Sequence, residues 1–196
     1  MKKENFALWF FTFVFLFSVF MLIPQDINVT GFDTSGSTLS NVTIASYLSI
    51  SMSNNLSNGI LFGSIDTLPA TSINASHNND DGVNSYNSTM WINVSTDSNT
   101  AVDFCVMANA DLTTSDDDVI GLANETYTNS SAINNATTPE IANNVSLTTS
   151  YVRAGRNIAQ GQSNYYRFWL NVDVAQAPGN YNNTVSFKGI VTGAAC

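Results

Sequence analysis

The stretch Tyr165-Tyr166-Arg167-Phe168-Trp169-Leu170-Asn171-Val172-Asp173-Val174 decides the fold. Tyr166, Phe168, Leu170, Val172 and Val174 share one face of an extended chain, and Tyr165, Arg167, Trp169, Asn171 and Asp173 share the other, because strand side chains alternate with a period of two. The same alternation recurs outward from it. Val42, Ile44, Leu48, Ile50 and Met52 alternate with polar residues over Asn41 to Met52. Met90, Ile92 and Val94 oppose Trp91, Asn93 and Ser95, and Val102, Phe104 and Val106 oppose Asp103, Cys105 and Met107. Val185, Phe187 and Val191 oppose Asn182, Ser186 and Lys188 over Tyr181 to Val191. Shorter apolar runs at Ile60 to Ile65, Val119 to Leu122 and Val145 to Val152 bring the expected strands to about eight. No segment after residue 24 keeps an apolar stripe of helical period over three turns. The turn-forming clusters between the runs include Asn54 to Gly59, Asn74 to Ser88, Thr113 to Asp118, Asn129 to Asn144 and Pro178-Gly179. Many strands at short spacing, each with one polar face, predict an all-β fold: an antiparallel two-sheet sandwich, immunoglobulin-like or jelly-roll.

Composition narrows the setting. The chain has 196 residues, a net charge of −9 and 11% charged side chains, and its polarity comes from 26 Asn, 23 Ser and 20 Thr. So acidic a surface repels phosphate backbones, which argues against nucleic acid as a partner. One His and two Cys are too few for an ordinary zinc or haem ligand set. Hydrophobic residues make up 44% of the chain, enough to build a core rather than a disordered acidic tail.

The N-terminus reads as an export signal. Lys2 and Lys3 precede an apolar run, Phe6 to Ile23, interrupted only by Thr12 and Ser18. Residues 1–25 are therefore expected to be a signal peptide or an N-terminal membrane anchor, the only part in contact with membrane. Residues 26–196 are expected to form a single β-sandwich domain, extracellular or on the cell surface. Eleven N-x-Ser/Thr sequons begin at Asn28, Asn41, Asn55, Asn74, Asn87, Asn93, Asn124, Asn129, Asn135, Asn144 and Asn182, against about 6 expected by chance from this composition. The excess points to N-linked glycans, a solubilising coat for a weakly charged surface. Strand phasing sets Asn93 and Asn182 opposite the core.

Cys105 and Cys196 are the only cysteines, and in an exported chain the default is a disulfide between them. The acidic clusters Asp80-Asp81 and Asp116-Asp117-Asp118, with Asp111 nearby, offer oxygen ligands for calcium but lack the spacing of a calcium-binding loop. No other cofactor is expected. His77 has Ser76 and Asp80 as sequence neighbours, yet no nucleophile elbow or metalloprotease helix accompanies it, so no catalytic residue is assigned. Tyr165, Trp169 and Trp91 are expected on outer strand faces, as sugar-stacking platforms or subunit contacts, or else beneath loops.

Asp26-Ile27-Asn28-Val29-Thr30-Gly31-Phe32 alternates apolar and polar residues directly after the export signal. It is expected either as the first strand of its own sandwich or as a donor strand that completes the sheet of the next subunit. Three stretches, Asn58 to Leu68 (NGILFGSIDTL), Ala101 to Leu112 (AVDFCVMANADL) and Trp169 to Gly189 (WLNVDVAQAPGNYNNTVSFKG), together with the closing Gly193-Ala194-Ala195-Cys196, resemble secreted archaeal surface proteins of β-sandwich type. More distantly they are similar to camelysin/TasA-type biofilm-fibre subunits and related archaeal pilus subunits, which polymerise by donor-strand exchange. The resemblance implies a non-enzymatic structural subunit of a filament, pilus or surface layer whose main partner is itself. The competing expectation is a monomeric or membrane-tethered adhesin or carbohydrate-binding module.

Overall fold

The computed structural model describes residues 11–15, 41–78, 90–132 and 138–196. The chain divides into two compact units, Met1–Thr43 and Ile44–Cys196. In the first, residues 11–15 are helical, with Phe11, Phe13 and Phe15 exposed. The second is an antiparallel β-sandwich, as the alternation predicts.

Its larger sheet is built on the stretch quoted above. β1 (Ile50–Met52), β3 (Met90–Val94), β10 (Ser163–Val172), β7 (Glu125–Ser130) and β8 (Val145–Ser146) lie side by side in that order, and β2 (Ala70–Asn74) also pairs with β10. The facing sheet has three strands in the order β11 (Val185–Val191), β4 (Val102–Ala108), β9 (Val152–Ile158). A separate hairpin joins β5 (Leu112–Thr113) to β6 (Val119–Ile120). One short helix, α1 (Asn54–Ser57), is capped by Ser53, whose hydroxyl accepts the Leu56 N–H at 3.2 Å.

The inner faces meet through the residues that alternation assigns to the core. Tyr166 and Phe168 of β10 pack on Phe187 of β11, with ring centroids 5.3 and 6.4 Å apart in edge-on geometry, while Val102, Phe104 and Val106 are fully buried. The sheets are also bridged by polar groups. Asn164 Nδ2 and the Tyr166 hydroxyl both donate to the Ala154 carbonyl of β9, at 2.7 and 3.0 Å. Gly155 makes this approach possible, since a Cβ there would lie 2.9 Å from Asn164 Nδ2 and 3.2 Å from Phe104 Cδ2.

β10 carries two different neighbours along one edge. β3 pairs with Ser163 to Tyr166, β2 pairs with Trp169 to Val172, and Phe168 falls between them. The buried Asn78 side chain fills the gap, accepting from Phe168 N–H at 2.9 Å and donating to Phe168 C=O at 2.5 Å. His77, at φ 67°, makes the turn that brings it there.

Several expectations are corrected. Of Asn41 to Met52 only Ile50–Met52 is strand, and Val42 and Ile44 are 82% and 80% exposed instead of entering the core. Ile60 to Ile65 joins no sheet, and Val145 to Val152 divides into β8 and the start of β9. β2, β5, β7 and most of β9 were not expected. ETYTNS and VRAGRNI lack an apolar alternation, and tertiary pairing on both sides of β7 supplies what propensity does not. The segment Asp26 to Phe32 lies outside the described residues.

Candidate functional site

The two sheets differ in width. Five strands side by side span roughly 19 Å across the larger sheet, whereas three span roughly 10 Å across the facing one. Along β10, Tyr166 and Phe168 belong to the core between the two sheets, whereas the inner face beyond them does not. Leu170 and Val172 there pack in a second small core with Ala70, Leu112 and Ile120. What remains open is a groove of about 1060 Å³ between segment 56–68 and loop 176–184, reaching Val185 and Phe187 of β11. Among the described residues β11 has no ladder on its outer edge, and all but the last of its seven residues are half-buried. The opposite wall, Ile60 to Leu68, lies in no sheet; its Leu61 carbonyl accepts from Ser76 N–H at 2.7 Å.

At the bottom of the groove lies Glu125, 1% exposed, opposite Leu170 in the β7–β10 ladder. Burial pushes its carboxyl above the usual carboxylate range, and the hydrogen bond from Asn183 Nδ2 (2.7 Å) opposes this only in part. Sequence reasoning gave Glu125 no role; the signal available was a single Glu opening a run that otherwise alternates Thr and Tyr.

The chain just before β1 is the second component. Asn99 clamps its root: Asn99 Oδ1 accepts Tyr47 N–H at 2.7 Å, Asn99 N–H donates to Tyr47 C=O at 3.0 Å, and Nδ2 donates to Ala45 C=O at 2.9 Å. Beyond that clamp Ile44 and Val42 are the most exposed aliphatic side chains among the described residues.

The outer face of the three-stranded sheet holds a covalent clip. Cys105 and Cys196 form a disulfide, with Cα atoms 5.9 Å apart and a sequence separation of 91. Cys105 is outward in phase yet fully buried, because the C-terminal residues fold over it. Its ladder partners hold those residues: Lys188 donates to the Cys196 carbonyl, and Arg153 to the Ala194 carbonyl. Arg153 also pairs with Asp103 at 3.1 Å. Burial alone would push the Asp103 carboxyl up. Hydrogen bonds from Asn157 N–H (2.7 Å) and Gly193 N–H (3.0 Å), the Arg153 charge and the Thr192 hydroxyl outweigh it and hold the group below its ordinary value.

The remaining sequence candidates are dispersed. Tyr165 and Trp169 do not project as open platforms: they are 4% and 2% exposed, and Arg167 stacks 5.0 Å above the Trp169 ring while donating to Pro139 C=O at 2.9 Å. Trp91 is half-buried. Asp116, Asp117 and Asp118 form the β5–β6 turn, where Thr114 Oγ1 accepts the N–H groups of Asp116 and Asp118. Asp111 caps Leu122 N–H at 2.7 Å. Among the described residues no three His, Cys, Asp or Glu side chains converge as a metal site, and His77 is exposed. Asp80 and Asp81 lie outside the described residues.

Of the sequon residues, Asn41, Asn74, Asn144 and Asn182 are exposed, and Asn55, Asn93, Asn124 and Asn129 are half-buried. Asn93 Nδ2 donates to Ser163 Oγ at 3.1 Å, Asn129 Nδ2 to Asn164 Oδ1 at 3.3 Å and Asn144 Nδ2 to Thr126 Oγ1 at 3.0 Å. Asn28, Asn87 and Asn135 lie outside the described residues. Comparison with protein-family models, curated proteins and solved structures finds no match for this chain.

Proposed function

We propose that this chain is a non-enzymatic, N-glycosylated structural subunit of an extracellular filament or surface layer, and that it polymerises with copies of itself by strand addition. The observation that carries the reading is the open flank of the sandwich, where β11, which has no ladder on its outer edge among the described residues, borders a groove that includes the apolar side chains of Leu61, Phe62, Val185 and Phe187. An unpaired edge offers main-chain donors and acceptors to an incoming strand, and a groove beside it offers pockets for alternate side chains. Cations that would discourage edge pairing are scarce: the four after the signal segment are Arg153, Arg156, Arg167 and Lys188, of which Arg153 and Lys188 hold the C-terminal clip and Arg167 stacks on Trp169. A body clipped by a disulfide suits a load-bearing subunit outside the cell.

Negative-stain microscopy of material sheared from cells tests the proposal. Ordered fibres or lattices containing this chain are the expected outcome. Dispersed monomers at every concentration would overturn it and leave the adhesin reading in its place.

A further inference from the structure

We infer that a sugar joined to Asn74 docks on its own subunit instead of projecting freely, in a pocket of about 420 Å³ on the outer face of the larger sheet, walled by Trp169, Ile141 and Ala142. The inference rests on the glycoprotein part of the reading above and gives one sequon a specific seat. Asn74 ends β2 and stands directly opposite Trp169 of β10 in the antiparallel ladder. Directly opposed residues project to the same face with Cβ atoms about 5 Å apart, so whatever Asn74 carries lies beside the indole. Phe168 and Leu170 on either side of Trp169 belong to the cores, which makes that face the outer one. Asn74 is exposed, and its amide is already oriented for substitution. Asn78 Nδ2 donates to Asn74 Oδ1 at 3.3 Å, holding the oxygen that glycosylation keeps. Among the described residues no hydrogen bond engages Asn74 Nδ2, the nitrogen that glycosylation uses. Asn93, Asn129 and Asn144 instead commit their Nδ2 groups to hydrogen bonds.

The pocket suits a sugar ring, which has an apolar face and a rim of hydroxyls. Trp169, Ile141 and Ala142 offer apolar surface, while Ser72 and Glu140, both exposed, offer a hydroxyl and a carboxylate to the rim. Trp169 is nearly covered, with Arg167 5.0 Å over its ring, so Ile141, at 40% exposure, is the side chain that a docked sugar shelters most. The wall is held in place, because Arg167 also donates to the Pro139 carbonyl at 2.9 Å. Attachment forms a bond from Asn74 Nδ2 to the anomeric carbon of an activated glycosyl phosphate; the donor's phosphate leaves and one Nδ2 proton is lost to base. Oδ1 takes no part, so its bond from Asn78 survives. A sugar bonded to a residue of the pocket's own wall docks intramolecularly, at high effective concentration, and ties β2 to the segment that covers Trp169.

Melting temperatures of the full chain produced in its own host, with glycopeptide mapping to report occupancy at Asn74, test this. Ser76→Ala abolishes the sequon yet leaves Asn74 and its bond from Asn78 in place, whereas Ser76→Thr preserves the sequon. Ser76→Ala should lower the melting temperature by about 2–4 °C, and Ser76→Thr should leave it unchanged. Ile141→Ser, on the pocket wall, should lower it in the parent and have little further effect in Ser76→Ala, because both changes remove one contact. If Asn74 is occupied and Ser76→Ala melts like the parent, or if the two changes simply add, docking is overturned. If Asn74 is bare while other sequons carry sugars, the inference is overturned and the glycoprotein reading stands. If no sequon carries a sugar, the glycoprotein reading itself fails, and the inference with it.

Discussion

The side-chain amide of Asn78 hydrogen-bonds both main-chain groups of Phe168, taking the place of a strand residue at the centre of the larger sheet. Asn is suited to this because its carboxamide presents one acceptor and one donor in the arrangement of a peptide group. The two bonds, at 2.9 and 2.5 Å, lie in a buried site where water is a poor substitute. Asn78→Ala should therefore destabilise the domain by about 2–4 kcal/mol, the cost of leaving a buried N–H and a weakened C=O. Chemical denaturation measures it, and a change within a few tenths of a kcal/mol would contradict the role assigned.

The cavity-free contact at Gly155 predicts a second loss. An Ala there would push its Cβ against Asn164 Nδ2 and Phe104, displacing the amide that donates to Ala154. Gly155→Ala should cost about 1–3 kcal/mol. The companion change Asn164→Ala, made together with it, should cost less than the two effects summed, because both act on one contact.

Glu125 predicts a pH dependence of definite sign. Its folded-state pKa is raised, so the folded chain holds this proton more tightly than the unfolded chain, and stability falls as pH rises from the ordinary glutamate value through the raised one. Glu125→Gln keeps an oxygen for Asn183 Nδ2 and removes the buried charge. The variant should gain stability at neutral pH relative to the parent and lose that advantage in acid, as melting temperatures across pH would show. A constant difference across pH would contradict the buried-charge account.

The clip predicts the opposite sign. Asp103 is held below its ordinary pKa, so it contributes stability above the unfolded-state value that is lost as pH falls through the folded-state value. Asp103→Asn should remove this acid-side loss. Cys105→Ser with Cys196→Ser should lower stability by about 4.6 kcal/mol in the chain-entropy model for a loop of this size, with circular dichroism unchanged, since β4 keeps its ladders to β11 and β9.

Glycan occupancy should follow access. Asn41, Asn74 and Asn182 are exposed, whereas Asn93 and Asn129 are half-buried with their amide nitrogens engaged. Glycopeptide mapping of natively sourced protein should find the first three occupied more fully. The reverse order, or an intact mass equal to the bare polypeptide, would contradict this.

The sequence alone determined what depends on local period and composition. Period-two alternation placed β3, β4, β10 and β11 and the face each buries, because a strand side chain can only go one way or the other. The count of two cysteines led to the expectation of the Cys105–Cys196 disulfide, which the structure contains. Tertiary structure decided the rest. β7, with Glu125 and three Thr or Ser among its six residues, is a strand because β10 and β8 pair on either side of it, a condition its own residues do not announce. Val42 and Ile44 continue the alternation of β1 yet stay in solvent, because of that stretch only Ile50, Ser51 and Met52 pair with β3. Trp169 and Tyr165 are outward in phase but covered, since phase fixes a face and not what lies over it. The groove, too, exists only in three dimensions: it is lined by segment 56–68, loop 176–184 and β11, which are far apart in sequence, so no single stretch encodes it.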